Sequence, residues 1–324
     1  MRDLTLNKNE KTFQCRRIIT LLVALFTGSS LLTSSSAATS GDYVVRTWET
    51  DQGLPESSAT SMVQDEDGFL WFGTFNGLVR FDGIGFKILD RSNLAALPSP
   101  AIVNLHLDQS KRLWVSTMEG LIIRDGNAWT RYDEGKGWKG NYIRHFAESP
   151  DGTMYVTTFD GQILEFSEDR FRALPSPPGV ITEGVFAYAE TGGRLWVLDS
   201  EFFGTWSNGR WTEARPASFF SGLSTDYALA PSNDGYAWLI DDKFLWRFKG
   251  AEPEEKITLP PECQKTWSIF EDSTGKVWIA SLASGLFFYD RIEKEWGHYT
   301  SENLLSQNSL GFVFQDKEKH LWVG

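Results

Sequence analysis

The residues able to do chemistry are few and scattered. There are four histidines, His106, His145, His298 and His320, and no two of them stand at the spacing of an HExxH helix or another close ligand pair. A zinc site needs three or four converging ligands, so the reading is no metal and no metal-assisted catalysis. Asp65-Glu66-Asp67-Gly68 has the look of an opening calcium loop but lacks the downstream glutamate such a loop uses. Its counterparts Ser149-Pro150-Asp151-Gly152 and Ser232-Asn233-Asp234-Gly235 read as hairpin turns. Gly192-Gly193 is a further turn. No Gly-Lys-Ser phosphate loop occurs, and no G-x-S-x-G elbow has a histidine partner. The expectation is therefore no catalytic residue and no cofactor.

Composition leans towards an all-β fold. The 324 residues carry 31 Lys+Arg against 43 Asp+Glu, a formal net charge of −12. An acidic chain lacks the basic stripe that neutralises phosphates, so nucleic acid is excluded as a partner of this region. With 41% hydrophobic and 23% charged residues the chain is globular. Its 14 Trp, 9 Tyr and 23 Phe favour pleated sheets, where aromatic side chains pack well.

The first 38 residues stand apart. Arg2, Lys8, Lys11, Arg16 and Arg17 precede an apolar run from Ile18 to Leu32, and Ser36-Ala37-Ala38 follows. That is the order of a cleaved secretory signal. A run of 15 residues falls short of the ~20 of a spanning helix. Residues 1–38 are read as a signal peptide and 39–324 as the exported domain, which holds 26 basic against 41 acidic residues, a charge of −15. Cys15 leaves with the signal, so Cys263 has no disulfide partner.

A period organises the rest. Trp71, Trp114, Tyr155, Trp196, Trp238, Trp278 and Trp322 follow one another at 43, 41, 41, 42, 40 and 44 residues. Thr47–Gly73 aligns without a gap on His298–Gly324, with Leu54, Ser58, Gln64, Asp65, Leu70, Trp71 and Gly73 meeting identical residues. Each unit reads as four short strands. The first has Thr60–Gln64, Leu70–Thr74, Leu78–Phe81 and Phe86–Leu89, parted by Asp-x-x-Gly, Asn-Gly and Asp-Gly turns. Four strands per ~42 residues is the measure of a propeller blade. The fold class is all-β, a β-propeller of four-stranded blades, seven by count. The seven periodic aromatics are expected to pack between blades. The last blade is incomplete: it has Gly311–Gln315 and a strand from Leu321, Tyr43–Trp48 can close the ring as its outer strand, and it lacks a third strand. The sequence is accordingly read as truncated in the seventh blade.

Loops joining second to third strands should collect on one face around the axis. They hold Phe75-Asn76, Met118-Glu119, Phe159-Asp160, Glu201-Phe202 and Asp241-Asp242. Aromatic faces stack on sugar rings, and carboxylates and amides accept hydroxyl hydrogen bonds, so these ten residues are the candidate ligand-binding set.

These residues resemble the two-component regulator propeller repeat. Trp48-Glu49-Thr50-Asp51-Gln52-Gly53-Leu54-Pro55, Gln64-Asp65-Glu66-Asp67-Gly68, Leu70-Trp71-Phe72-Gly73-Thr74 and Gly77-Leu78-Val79-Arg80-Phe81-Asp82-Gly83 carry the likeness. Leu113-Trp114-Val115 and Val277-Trp278-Ile279 follow it less closely, and blades three to five depart from it. The resemblance implies the periplasmic sensor region of an inner-membrane receptor, with membrane and transmitter domains beyond this chain and a homodimer as the working form. It also implies a histidine kinase output and, in several relatives, a response to polysaccharide fragments. This chain carries no transmitter residues, so any kinase activity would belong to the full-length protein. The alternatives are the sensor of a diguanylate cyclase, a secreted lyase or glycosidase using axial carboxylates such as Asp160 and Asp241, and an interaction scaffold.

Overall fold

The computed structural model describes residues 2–6, 43–139, 142–178, 186–190, 194–199, 202–216, 219–220 and 228–324. The apolar run and small-residue site of the expected signal peptide lie outside them.

Among the described residues every regular element longer than a single turn of 3-10 helix is a strand. Six blades form from contiguous chain. Blade one has Ala59–Gln64, Leu70–Thr74, Gly77–Phe81 and Phe86–Leu89, paired antiparallel in sequence order. Blade two runs from Ile102 to Tyr132, blade three from Ile143 to Ala173, blade four from Phe186 to Pro216, blade five from Ala228 to Thr258 and blade six from Thr266 to Tyr299. The turns between first and second strands are closed by Gly68, Gly152, Gly235 and Gly275, each at φ between 82° and 87°, a conformation in which glycine is unhindered.

The last repeat differs from the expected seventh blade in what fills its third place. It supplies only two strands, Val313–Gln315 and Leu321–Val323. Tyr43–Thr47 takes the outer position, but it does not pair directly with Leu321–Val323. Arg2–Leu6 lies between them, in the place expected to be vacant. The sheet order is thus Tyr43–Thr47, Arg2–Leu6, Leu321–Val323, Val313–Gln315. Sequence reading set residues 1–38 aside on charge and hydropathy. Ladder hydrogen bonds are backbone bonds, and any extended segment can make them.

The core lies between blades. Trp114, Leu121 and Tyr132 of blade two pack with Met154, Val156 and Phe166 of blade three. Trp278 and Leu286 of blade six pack with Leu321 and Val323. Phe312 and Trp322 pack with Met62, Phe72 and Phe81 of blade one. All seven periodic aromatics are buried. Each sheet exposes two apolar faces, and stacking the sheets side by side is what removes both from water.

Polar seams follow the same path. The residue preceding the turn aspartate or serine accepts a backbone N–H from the turn of the previous blade. Glu148 accepts from Gln109, Glu271 from Asn233, Gln315 from Ser273, and Gln64 from Lys317 at 2.6 Å. Gln64 also donates to Glu318, so this seam joins the last repeat to the first blade.

Candidate ligand-binding face

Register fixes which ends of the strands share a face. Ala59 pairs with Thr74, so the start of the innermost strand lies beside the loop leaving the second strand. The same holds for Ile102 with Thr117, Ile143 with Thr158 and Thr266 with Ser281. Each of these four pairs is followed by a one-residue bulge, at Thr60, Val103, Arg144 and Trp267. A bulge re-aims the extra side chain, and here it does so on the innermost strand, where that strand begins.

The loop after the second strand is set by a short polar side chain. Thr74 Oγ1 donates to the Gly77 carbonyl at 2.9 Å, and Thr117 Oγ1 does the same to Gly120. In blade six Ser281 Oγ accepts the N–H groups of Ala283 and Ser284. In blade five this capping place belongs to Asp241. Its Oδ1 accepts from the backbone of Lys243 and Phe244, and its Oδ2 accepts from Trp246 Nε1 at 2.8 Å. Asp241 is 1% exposed. The aspartate expected to face a ligand therefore holds the turn, and Asp242, which is exposed, stands where Phe75 and Met118 stand in blades one and two. Blade four repeats the substitution: Asp199 Oδ1 accepts from Phe202 N, and Phe202 is buried at the head of its strand among Tyr155, Leu174 and Leu195. Glu201 lies outside the described residues.

The other candidates are at the surface. Phe75 and Met118 are each 48% exposed, and Asn76 is exposed beside Phe75. Glu119 is exposed and pairs with Arg91 at 2.6 Å. Phe159 is half-buried and stacks on Tyr142, with ring centroids 5.0 Å apart. Asp160 is exposed and takes hydrogen bonds from Thr158 and Gln162. Leu282 occupies the same place in blade six, 39% exposed. The first residues missed by sequence reading are Leu282 and Trp267, the latter 48% exposed at the bulge of blade six. Trp267 falls outside the 42-residue aromatic frame, and that break in pattern was the available signal.

Trp267 stands next to a cleft of about 530 Å³ between blades five and six. Asp242, Lys243, Phe244, Pro260, Gln264 and Lys265 line it, along with the buried Cys263. Burial pushes the Cys263 thiol up to about 12, so it carries no thiolate at neutral pH. The face thus combines half-exposed aromatic and aliphatic side chains with charges of both signs beside a concavity.

The histidines serve packing instead. His106 bonds Glu148 at 3.2 Å across the seam of blades two and three, His320 bonds Asp316 at 2.8 Å, and His298 stacks on Phe287 with centroids 3.9 Å apart. Burial lowers His145 to about 4, with Arg144 and His106 adding repulsion, so it is neutral at pH 7. Among the described residues no group of three His, Cys, Asp or Glu side chains could hold a metal ion, and no helix is long and apolar enough to cross a membrane.

Fold and register together define a β-propeller of four-stranded blades whose second-strand loops lie beside the starts of the innermost strands. Comparisons with known proteins add the relatives. Residues 53–76 match the two component regulator propeller, so the chain carries a repeat of that type. A histidine kinase, P4 of Formosa agariphila, is 40% identical over 73 residues, 22% of this chain and 5% of the kinase. The extracellular domain of a hybrid two component system, BT3049 from B. thetaiotaomicron, superposes with a TM-score of 0.69 at 20% identity, over 86% of this chain and 40% of that one. Virginiamycin B lyase from Staphylococcus aureus superposes with a TM-score of 0.58 at 14% identity, over 81% of this chain and 93% of that one. The chain spans well under half the length of the two signalling relatives. At these identities the solved structures establish the propeller fold.

Proposed function

We propose that this chain is the non-catalytic, ligand-sensing propeller of an exported receptor of the two-component, histidine kinase type. The observation that carries the reading is that Phe75, Met118 and Trp267, each half-exposed, stand at the strand ends that share one face in blades one, two and six. Exposed aromatic side chains at a concave, polar-rimmed surface are suited to stacking on a ligand. The ligand class proposed is an oligosaccharide, since sugar rings stack on aromatics while Asn76, Asp160 and Asp242 accept their hydroxyls. Support for the signalling half comes from the repeat at 53–76 and from relatives that are a histidine kinase and an extracellular domain of a hybrid two component system.

The finer parts of the proposal are a seven-bladed ring, export by cleavage after residue 38, a periplasmic location, and a homodimeric full-length receptor with membrane and output domains. Signalling would require the ligand to bind two arrangements of the receptor with different affinity. The test is a thermal-shift screen of the chain against neutral and acidic oligosaccharides, with the reaction mixtures checked for cleavage products. Stabilisation without turnover supports the sensor; turnover supports an enzyme.

A further inference from the structure

The cleft between blades five and six differs in charge from the acidic chain around it. The whole sequence has a formal charge of −12, yet Lys243 and Lys265 both line this one concavity of about 530 Å³. Both lysines are exposed. Among the described residues the lysines held in ion pairs are Lys111, Lys136 and Lys276, so neither cleft ammonium is neutralised by a carboxylate partner. Two aspartates share the wall. Asp241 is buried with its oxygens occupied by Lys243 N, Phe244 N and Trp246 Nε1, and Asp242 is exposed.

Each lysine stands on a fixed backbone. Lys243 donates its N–H to Asp241 Oδ1 at 2.9 Å, and its carbonyl accepts from Leu259 N at 2.9 Å. The Lys265 carbonyl accepts from Leu282 N at 3.0 Å, and the carbonyl before it, of Gln264, accepts from Ser281 Oγ at 2.6 Å. Lys265 is also held in the left-handed region, at φ 49°. Of the seven described non-glycine residues at positive φ, the other six sit in turns between strands of one blade, whereas Lys265 lies in the connection from blade five to blade six. A side chain kept in that sparsely populated conformation is a feature of ligand clamps. Two residues further on is Trp267, half-exposed at its bulge.

We infer that this cleft is the subsite for an acidic group of the ligand, a uronate carboxylate or a sulfate ester. The oxyanion is held by the ammoniums of Lys243 and Lys265 while the sugar ring that bears it stacks on Trp267. Hydrogen bonds to an ionised acceptor are roughly twice as strong as neutral ones, so the two lysines select an acidic sugar over its neutral counterpart. Asp242 accepts a neighbouring hydroxyl. The inference rests on the oligosaccharide reading of the loop face and narrows it to acidic sugars.

Matched pairs of sugars test it on the full chain at low ionic strength. Calorimetric titrations use tetragalacturonate against its methyl ester and sulfated lactose against lactose, so that carboxylate and sulfate are read separately. At least one acid should bind about tenfold or more tightly than its neutral counterpart. Lys243→Gln and Lys265→Gln change exposed side chains and should leave the melting temperature unchanged. Each should remove most of the acid's advantage while the neutral sugar binds as before. Equal affinity within both pairs, or an acid preference untouched by either substitution, overturns the inference and leaves the sugar-binding reading standing. Binding of none of the four sugars overturns the inference, and an empty thermal screen of wider oligosaccharides overturns the reading beneath it.

Discussion

Asp65 holds two things at once: its Oδ2 accepts from Trp71 Nε1 at 2.8 Å, and its Oδ1 accepts from Phe69 N at 2.9 Å. One carboxylate thereby closes the first hairpin of the blade and fixes the indole that packs into the next. Asp108 with Trp114, Asp272 with Trp278 and Asp316 with Trp322 repeat the bond at 2.8 Å, always six residues apart. Glu190 does so for Trp196 at 3.1 Å. In blade five Ser232 stands at the carboxylate position, and Trp238 is held by Glu271 of blade six instead. In blade three Ser149 stands there, and the aromatic is Tyr155, which has no indole N–H to satisfy.

Asp65→Ala should therefore be among the more damaging single substitutions. It leaves the buried Trp71 Nε1 and a turn amide without acceptors, a loss of about 2–4 kcal/mol by the usual penalty for two unsatisfied groups. Urea unfolding of the variant measures it; a loss no larger than that of Asp67→Ala, an exposed turn residue, would deny Asp65 this role.

The seam that closes the ring should be separable from the blades. Gln64→Leu removes the acceptor of Lys317 N and the donor to Glu318, at about 1 kcal/mol per hydrogen bond. Blade two already carries Leu107 at the equivalent place. Hydrogen exchange should quicken at Lys317 and neighbouring amides while those of blade three keep their protection; uniform quickening would mean that the seam and the blades open together.

Acid should weaken the protein through His145. Its folded pKa of about 4 lies below the ordinary 6.5, so the unfolded chain takes up the proton first. Stability from this group is fully present above pH 6.5 and is lost as pH falls toward 4, by about 3 kcal/mol at most. His145→Gln should flatten the stability profile between those values; an unchanged slope would place the acid sensitivity elsewhere.

Face and core should respond oppositely to truncation. Phe75→Ala and Met118→Ala remove half-exposed side chains and should leave stability within about 0.5 kcal/mol. Phe72→Ala, three residues before Phe75 and fully buried, should cost about 3–5 kcal/mol. Comparable losses at Phe75 and Phe72 would mean that the loop aromatics are structural.

Much of this was readable because repeats make strands redundant. The predicted limits in blade one, such as Leu70–Thr74, fall within a residue of those observed, since turn residues and alternation agree there and recur along the chain. The loop face was legible by position and blurred by chemistry. Thr74, Thr117 and Thr158 mark where the second strand ends, but in blades four and five aspartate takes that capping place. A frame counted on aromatic and acidic types therefore slipped by one residue, onto Asp241 and Phe202. Trp267 was missed because a bulge, which has no fixed sequence mark, carries it to the surface.

The central claim is that the loop face binds a ligand without transforming it. Calorimetric titration of an oligosaccharide identified by the thermal screen, into the chain and into its Trp267→Ala variant, tests it most directly. The account predicts a single site, weakened about tenfold or more by the variant at an unchanged melting temperature, since a lost aromatic stack at a hot spot is worth about 1.5 kcal/mol or more. Affinity unchanged in both Trp267→Ala and Phe75→Ala, or conversion of the sugar during the titration, would contradict it.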